Sequence, residues 1–292
     1  MNSRGFCRAE YTWDRDGNLL AENYYGTRGE PVNTDLGYAA AVYTYVTDSL
    51  GNTHTVTEDR FAADGSRADI EGSYSYRRCS WSDTLRASDE YFNASGRLTR
   101  PTGGYAQCLS EIVRSKNEVT ITTRYLDANG KPLIGSEGGA KIVSVFISYI
   151  SDGKENKLLQ KELLGMELST GAREAGETEW LLLTEEIYGT DGNETLGAKH
   201  WHRLVNTYDD HYNLTRVDYY GTDQKPIMGS TGYASLTAAY DAEDRLIKVD
   251  YLDREGRLVK MLDGYARITY TYYSDSRLHT ERYYGADGNP TM

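Results

Sequence analysis

The chain has 292 residues, a formal net charge of −12, and 26 tyrosines and 29 glycines against only three cysteines. The negative charge would repel nucleic-acid phosphates and anionic membrane surfaces, so neither is expected as a partner. Mean hydropathy is −0.65, and no run is long and apolar enough for a membrane helix. The cysteines, Cys7, Cys79 and Cys108, lack metal-ligand spacing and are odd in number, so they predict neither a metal site nor a disulfide framework.

Two short patterns recur along the chain and set its period. The first is a pair of large residues that begins with tyrosine, called the aromatic pair although its second member is leucine in some copies, followed by a turn with glycine, as at residues 24–31, 125–132, 251–258 and 283–290. The second is Gly-Tyr-Ala or a relaxed form of it, whose copies begin at Gly37, Gly72, Gly104, Gly139, Gly171, Gly197, Gly232 and Gly264. These copies start 32 or 35 residues apart, except for one step of 26. Repetition at a fixed period indicates an array of similar units, none of which buries its apolar face alone.

Each unit is predicted to contain two strands and two turns. The turn of a first, partial unit lies at residues 13–19, where aspartate and glycine supply the backbone angles that hairpins need. Turns of the same kind at 208–214 and 240–246 lead into strands at 215–220 and 247–252.

The last unit shows the strand pattern most clearly. Residues 265–272 alternate between apolar and polar side chains, which is the period of a half-buried strand. A polar turn at 274–277, a return strand at 278–284 and a closing turn at 285–288 follow. The apolar face of the first strand carries Ala266, Ile268, Tyr270 and Tyr272.

Residues 154–186 depart most from the repeat. Leucine pairs at 158–159 and 163–164 are compatible with a short helix, whereas Gly171 keeps the 32-residue step and favours a degenerate repeat with a strand at 180–184. The whole sequence therefore predicts an all-β fold, an elongated tandem array of antiparallel β-hairpins that forms either one twisted sheet or a β-solenoid. Residues 1–292 are expected to form a single repeat array with a degenerate region near 150–195.

Comparison of the copies predicts which residue of each aromatic pair is buried. The second residue is always large and apolar or aromatic, as in Tyr25, Phe61 and Tyr220, so it is assigned to the core. The first residue is Arg60 in one copy, which indicates a partly solvated position. A solvated row of rings could stack on sugar, although cross-strand aromatic packing is the structural alternative. The candidate ligand-binding residues are Tyr24, Tyr91, Tyr125, Tyr219, Tyr251 and Tyr283.

Other candidate sites are favoured less than their structural alternatives. Recurrent Asp-x-x-Gly turns match only fragments of a calcium loop and are expected to be hairpin turns in which the aspartate caps its own backbone. His200 and His202 are assigned to the polar face of a strand, with Trp201 pointing inward. No catalytic motif is present, so no catalytic residue, metal or cofactor is predicted. The recurrent turn aspartates are Asp14, Asp127, Asp191, Asp253 and Asp287.

The turns resemble a known repeat family. Tyr240-Asp241 followed by Arg245-Leu246, and residues 13–19 and 251–258, resemble the Tyr-Asp-x-x-Gly-Arg-Leu pattern of the YD or RHS-type repeats of bacterial surface and toxin-associated proteins. That resemblance implies a large sheet of β-hairpins. The pairing of aromatic residues with a later Gly-Tyr is also similar to the cell-wall and glucan-binding repeats of Gram-positive surface proteins, whose aromatic residues hold choline or sugar.

The sequence thus predicts a non-catalytic repeat module of a bacterial surface protein that binds glycan or cell-wall polymer, or acts as a spacer. The alternative is a protein-interaction scaffold or part of a YD-like shell, and a third hypothesis is a glycan-active enzyme with acids from residues 154–194. Residues 1–6 do not resemble a signal peptide. A native Met1 would favour the cytoplasm, and a longer parent chain would favour the cell surface or an extracellular site.

Overall fold

The computed structural model describes residues 4–49, 51–82, 85–150 and 178–291. Within these described residues, sixteen strands lie in one antiparallel sheet in the order in which they occur along the chain. This arrangement confirms the predicted all-β tandem array of hairpins, and its strand order is that of a single meandering sheet. The strands are β1 (Arg8–Trp13), β2 (Leu19–Tyr25), β3 (Ala40–Thr47), β4 (Thr53–Phe61), β5 (Tyr76–Ser82), β6 (Leu85–Phe92), β7 (Gln107–Arg114), β8 (Glu118–Leu126), β9 (Lys141–Ile150), β10 (Thr178–Tyr188), β11 (Arg203–Tyr208), β12 (Leu214–Tyr220), β13 (Ser235–Tyr240), β14 (Leu246–Leu252), β15 (Arg267–Tyr272) and β16 (Leu278–Tyr284).

The chain divides into two compact units. Unit 1 comprises Met1–Ile112 and Thr122–Ser136, and unit 2 comprises Val113–Ile121 and Glu137–Met292. Unit 1 therefore contains β1 to β6, unit 2 contains β9 to β16, and the hairpin of β7 and β8 contributes residues to each.

The last hairpin shows how the predicted alternation becomes a strand. Strand β15 pairs with β16 from Arg267 opposite Tyr284 to Tyr272 opposite Leu278. Ile268 is buried and Thr271 is exposed, as the period-two pattern predicted. The return strand at 278–284 is confirmed as β16.

A repeated hydrogen bond ties neighbouring hairpins together and gives the Tyr-Asp turns a structural role. The Tyr240 hydroxyl donates to the backbone carbonyl of Leu214, 26 residues earlier, at 3.0 Å. Asp241, the next residue, accepts the backbone N–H groups of its own turn. The register shifts at this tyrosine, between Ala239 and Tyr240, which is a β-bulge. Equivalent bonds join Tyr45 to Leu19, Trp81 to Thr55, Tyr208 to Leu182 and Tyr272 to Leu246.

The core lies on one face of the sheet in each unit, which we call the inner face. In unit 2, Val217 is paired with Leu236 and Val249 with Ile268, and all four are buried on that face. After each hairpin the chain folds back, so that the N–H of Ile227 donates to the carbonyl of Tyr219 at 3.0 Å. Side chains alternate across a strand, so the residues between the core positions form a second, outer face.

Part of the irregular region is described. The strand predicted at residues 180–184 is confirmed as part of β10. Residues 151–177 lie outside the described residues, and the predicted short helix or degenerate repeat falls among them. Within the four described ranges, no helix is long and apolar enough to cross a membrane. All three cysteines are free thiols.

Candidate functional site

The six tyrosines predicted to bind a ligand lie on the inner face, so the predicted facing of the aromatic pairs is wrong. Tyr24, Tyr219 and Tyr251 are only 7%, 6% and 3% exposed. Tyr91 and Tyr125 are partly buried, and Tyr283 on the last strand is 37% exposed. The second residues, predicted to form the core, are instead all partly exposed: Tyr25, Phe61, Phe92, Leu126, Tyr188, Tyr220, Leu252 and Tyr284.

In unit 2 the inner rings form a continuous stack in which the two sequence patterns alternate. Tyr233 of a Gly-Tyr-Ala copy lies between Tyr219 and Tyr251, with ring centroids 5.4 and 5.1 Å away. Tyr265 continues the stack to Tyr283 at 4.8 Å. Offset and edge-to-face arrangements at these distances are favourable for aromatic pairs. We call such stacked inner rings the tyrosine ladder of each unit; in unit 1 its members are Phe6, Tyr24, Tyr38, Tyr74, Tyr91, Tyr105 and Tyr125.

Backbone covers the ladder where a sugar would have to stack. A Cβ atom on Gly229 would lie 3.2 Å from the Tyr219 ring, and one on Gly135 only 2.6 Å from the Tyr125 ring. Glycine is needed at both positions because the returning loop lies directly on the aromatic face. At Tyr219 and Tyr125 the ring thus packs against the returning loop, as the structural alternative of aromatic packing within the sheet expects.

Arg60, whose charge suggested that the first residue of each pair faces solvent, lies on the inner face. It occupies a ladder position in unit 1, with its guanidinium 3.9 Å from the Tyr74 ring centroid and 5.2 Å from that of Tyr38. Its Nε donates to Glu58 at 2.8 Å, and further N–H groups donate to Ser73 and the Tyr74 hydroxyl. An arginine can be desolvated when its charge is paired and its planar face lies on aromatic rings, so its presence does not mark a solvated row.

Unit 1 also buries carboxylates beside the ladder, a feature that the sequence reasoning missed. Glu22 accepts hydrogen bonds from three tyrosine hydroxyls: Tyr24 at 2.8 Å, Tyr38 at 2.9 Å and Tyr43 at 3.2 Å. Such hydroxyls satisfy a carboxylate that would otherwise be costly to bury. Because Glu22 and Tyr24 are two residues apart in a strand, they share a face, and this spacing is the signal that could have found the site.

Asp89 is the most buried of these carboxylates, at 1% exposure. It accepts two hydrogen bonds from Arg77, at 2.8 and 3.0 Å, one from Arg86 at 3.1 Å and one from the Tyr105 hydroxyl at 2.9 Å. Burial alone would raise the pKa of Asp89, but the hydrogen bonds and charges of the two arginines outweigh it and hold that pKa below its usual value. This cluster resembles a structural ion-pair network, because every oxygen of the carboxylate is engaged.

The outer face carries a row of partly exposed rings. Tyr220 lies directly opposite Arg203, and Tyr284 directly opposite Arg267. The second residue of each pair stands at the same position on every second strand, and strands in a sheet are 4.7–4.9 Å apart, so successive positions of this row are separated by about 10 Å. Tyr188 and Leu252 occupy the same position on β10 and β14. The result is a regular row of partly exposed apolar groups with cations beside it.

Charged side chains surround this row in unit 2. Asp250 pairs with Arg267 and with Lys248, the latter at 3.2 Å, and Arg216 pairs with Asp218 at 2.6 Å. Burial would raise the pKa of Asp250, but hydrogen bonds from Arg267 and Lys248 lower it below its usual value. The pKa of the Tyr188 hydroxyl is raised to about 12, chiefly by its hydrogen bond to the Glu186 carboxylate.

The recurrent turn aspartates cap their own turns, which confirms their predicted structural role. Asp14 Oδ1 accepts the backbone N–H groups of Asp16 at 2.9 Å and Asn18 at 2.8 Å. The bonds from Asn18 lower the pKa of the Asp14 carboxyl. Asp127, Asp191, Asp253 and Asp287 accept equivalent bonds.

The His-Trp-His stretch lies before β11, so its assignment to a strand is wrong. His200 has a positive φ of 66° in a turn. His202 is buried, and its Nδ1 lies 2.8 Å from the Ile187 carbonyl oxygen. The local reason is the fold-back of the loop, which also buries Trp201 inward as predicted.

A shallow depression lies between two hairpin turns of unit 2, beside Asp209, His211 and Asp244. Asp209 Oδ1 accepts two backbone N–H groups of its own turn, and His211 Nδ1 lies 2.7 Å from Asp244 Oδ1. These carboxylates therefore close turns and link neighbouring hairpins. Among the described residues, no three metal-binding side chains come together.

The acids of the third hypothesis can be placed only in part. Glu185 faces inward and accepts a hydrogen bond from Ser144 at 3.0 Å. Glu186 faces outward beside Tyr188 and Arg203. The two carboxylates thus lie on opposite faces of β10.

Comparison with known proteins adds no relative. The chain matches no protein-family model, and no curated protein is significantly similar to it.

Proposed function

We propose that the chain is a non-catalytic repeat module that binds glycan or cell-wall polymer through the outer face of its sheet. The observation that supports this proposal is the row of partly exposed side chains on that face, in which Tyr188, Tyr220 and Tyr284 share one position of the repeat and Leu252 occupies it in the remaining hairpin of unit 2. Aromatic rings with one apolar face and a polar tip suit sugar, which presents C–H groups and hydroxyls together. This assignment moves the binding surface from the first to the second residue of each pair.

The spacing of the rings supports an extended ligand. The positions of this row, three of them tyrosines and one Leu252, repeat at about 10 Å, which is comparable to the length of a disaccharide in an extended polysaccharide. A polymer lying across the strands would therefore meet a similar group at each hairpin. Several weak contacts along one chain add up to useful affinity because later contacts are intramolecular.

A bacterial surface protein with YD or RHS-type repeats is the parent that this proposal favours. The support is local: Tyr240 bonds the preceding hairpin while Asp241 caps the turn. Each residue of a Tyr-Asp pattern would thus have a structural reason to recur.

The test is a screen of the purified chain on glycans and cell-wall polymers, with two triple-alanine variants. One replaces the outer rings Tyr188, Tyr220 and Tyr284. The matched control replaces Tyr11, Tyr212 and Tyr273, which are 50%, 41% and 50% exposed and lie off that row. Binding that is lost in the first variant alone, with both variants folded by circular dichroism, supports the proposal. Binding retained in the first variant, or none by the parent, contradicts it.

A second candidate is a protein-interaction scaffold, and the last strand favours it. Strand β16 ends the strand order of the sheet, and Leu278 on it is 51% exposed. Such an edge accepts a further strand from another chain. Concentration-dependent association in light scattering that Leu278→Lys abolishes would favour this candidate, whereas a monomer at every concentration would count against pairing of copies at this edge.

A further inference from the structure

The outer face of unit 2 is cationic although the whole protein is strongly acidic. Five cations and two carboxylates project from strands β11 to β16 on this face, a local excess of three positive charges, against −12 for the chain. The register places them: Arg203 is opposite Glu186, Arg216 opposite Thr207, and Arg267 opposite Asp250. The cations are Arg203, Arg216, Lys248, Arg267 and Arg282, and the carboxylates are Asp218 and Asp250.

The cations also reach further into solvent than the acids. The Arg216 side chain is 43% exposed and its partner Asp218 only 15%. Lys248 is 41% exposed and Asp250 only 11%. A ligand that approaches this face therefore meets ammonium and guanidinium groups first, with the carboxylates beneath them.

Unit 1 lacks this excess on the same face. Its strand residues there pair cation with carboxylate, as Arg78 with Glu90 at 2.7 Å and Arg8 with Glu10 at 2.8 Å. Three cations, Arg8, Arg78 and Arg124, stand with four carboxylates, Glu10, Asp59, Glu90 and Glu111. The positive surface is thus a property of unit 2 and not of the repeat.

We propose that the outer face of β11 to β16 binds an extended anionic polysaccharide, with carboxylate or phosphate groups at intervals along a sugar chain. This inference rests on the proposed glycan binding and specifies its ligand class. Charge complementarity supplies the attraction for the acidic groups, and the rings of Tyr220 and Tyr284 supply apolar contact for the sugar between them.

Sparse charge on the ligand suits this face better than dense charge. Glu186, Asp218 and Asp250 interrupt the cations and would repel a polyanion with a charge at every step. The rest of the protein is acidic and would repel nucleic acid as well. A sugar polymer with acidic groups spaced along it can place them beside the cations and neutral hydroxyls beside the carboxylates.

The experiment compares binding of the 292-residue chain to a uronic-acid polymer, a phosphate-linked wall polymer, a neutral polysaccharide and single-stranded DNA. The test variant is Arg203→Gln/Lys248→Gln/Arg282→Gln, which leaves the Arg216–Asp218 and Arg267–Asp250 pairs in place. The control, Arg28→Gln/Arg97→Gln/Lys131→Gln, makes the same change in net charge at exposed turns of unit 1.

The expected result is tighter binding of an acidic than of the neutral polysaccharide, weakened by salt, and weakened about tenfold in the test variant because each exposed ionic contact contributes little. The control should bind as the parent does. Equal, salt-independent binding of neutral and acidic polymers would overturn this inference and leave the proposed function standing. Preference for DNA would overturn the inference, and binding of no polysaccharide would overturn both.

Discussion

The same position of the repeat holds a carboxylate in three copies of unit 1 and a valine in the two central hairpins of unit 2. Two residues before the ladder position, unit 1 has Glu22, Glu58 and Asp89, whereas the central hairpins of unit 2 have Val217 and Val249. All five lie on the inner face and are almost inaccessible to solvent. Each unit nevertheless forms the same hairpins with the same ladder of rings beside them.

The difference shows which side chains can be buried beside the rings of the tyrosine ladder. In unit 2, aliphatic side chains fill the space beside the rings, and Val217, Leu236 and Val249 form a dry core. In unit 1, the tyrosine hydroxyls turn toward carboxylates and serve as hydrogen-bond donors. The position therefore tolerates either chemistry, provided that every buried polar group finds a partner.

The largest expected effect tests the apolar ladder of unit 2. Tyr219→Ala should reduce the free energy of unfolding by about 3–5 kcal/mol, since it empties a buried aromatic site. Tyr220→Ala, the adjacent outer residue, should cost about 1 kcal/mol because its ring is partly exposed. Urea denaturation measures both changes. Equal losses in the two variants would show that the faces are assigned wrongly.

A second prediction concerns replacing the charged pair of Glu58 and Arg60 in unit 1 with the residue types found at the same positions in unit 2. Glu58→Val should cost about 3 kcal/mol, because it leaves the Arg60 guanidinium partly buried without its carboxylate. Glu58→Val/Arg60→Tyr should recover stability to within about 1 kcal/mol of the parent, because the pair then matches Val217 and Tyr219. Thermal unfolding of the single and double variants gives the free energy of coupling between positions 58 and 60. A double variant as unstable as the single one would argue against equivalence of the two sites.

A third prediction concerns the charged cluster at Asp89. Asp89→Asn should lose about 2 kcal/mol at neutral pH, because Arg77 and Arg86 lose their shared carboxylate. The folded protein lowers the pKa of Asp89, so this stability is present above the usual carboxyl pKa and is lost as pH falls through the lowered value. Unfolding followed from pH 7 downward should therefore give a flatter profile for the variant. Identical pH profiles for the parent and the Asp89→Asn variant would show that Asp89 does not supply this pH-dependent stability.

The smallest expected effect has the opposite sign and lies in unit 2. Burial raises the pKa of Glu185, whose hydrogen-bonded partner Ser144 is neutral. Its protonated form is favoured on folding, so stability is present at acid pH and lost as pH rises through the raised pKa. Glu185→Gln should then stabilise the protein by roughly 1 kcal/mol at neutral pH and not at acid pH. Destabilisation at neutral pH would contradict the raised pKa.

Much of the fold could be predicted from the sequence because the repeat recurs at a regular period that can be read directly from it. The alternation at residues 265–272 and the Asp-Gly turns predicted strands and turns that the structure places as expected. Their physical causes are local: period-two burial and side-chain capping.

The facing of the aromatic pairs could not be read from composition alone. Both residues of each pair are large, so size did not distinguish the faces, and Arg60 suggested solvent at a position where Glu58 and Tyr74 neutralise and cover it. The loop that carries Gly229 over Tyr219 is a tertiary feature without a period of its own. The cationic outer face depended on the register between strands, which joins residues far apart in the chain.

Oxidative footprinting by mass spectrometry tests the two faces most directly, because it reports the solvent access of individual tyrosines in the folded protein. We expect rapid modification of Tyr220 and Tyr284 on the outer face, and protection of Tyr219, Tyr233 and Tyr251 on the inner face until the protein unfolds. Addition of a bound acidic polysaccharide should protect the first group alone. Modification of Tyr219 and Tyr251 as fast as Tyr220 would contradict the inner ladder and return the ligand site to the first residue of each pair.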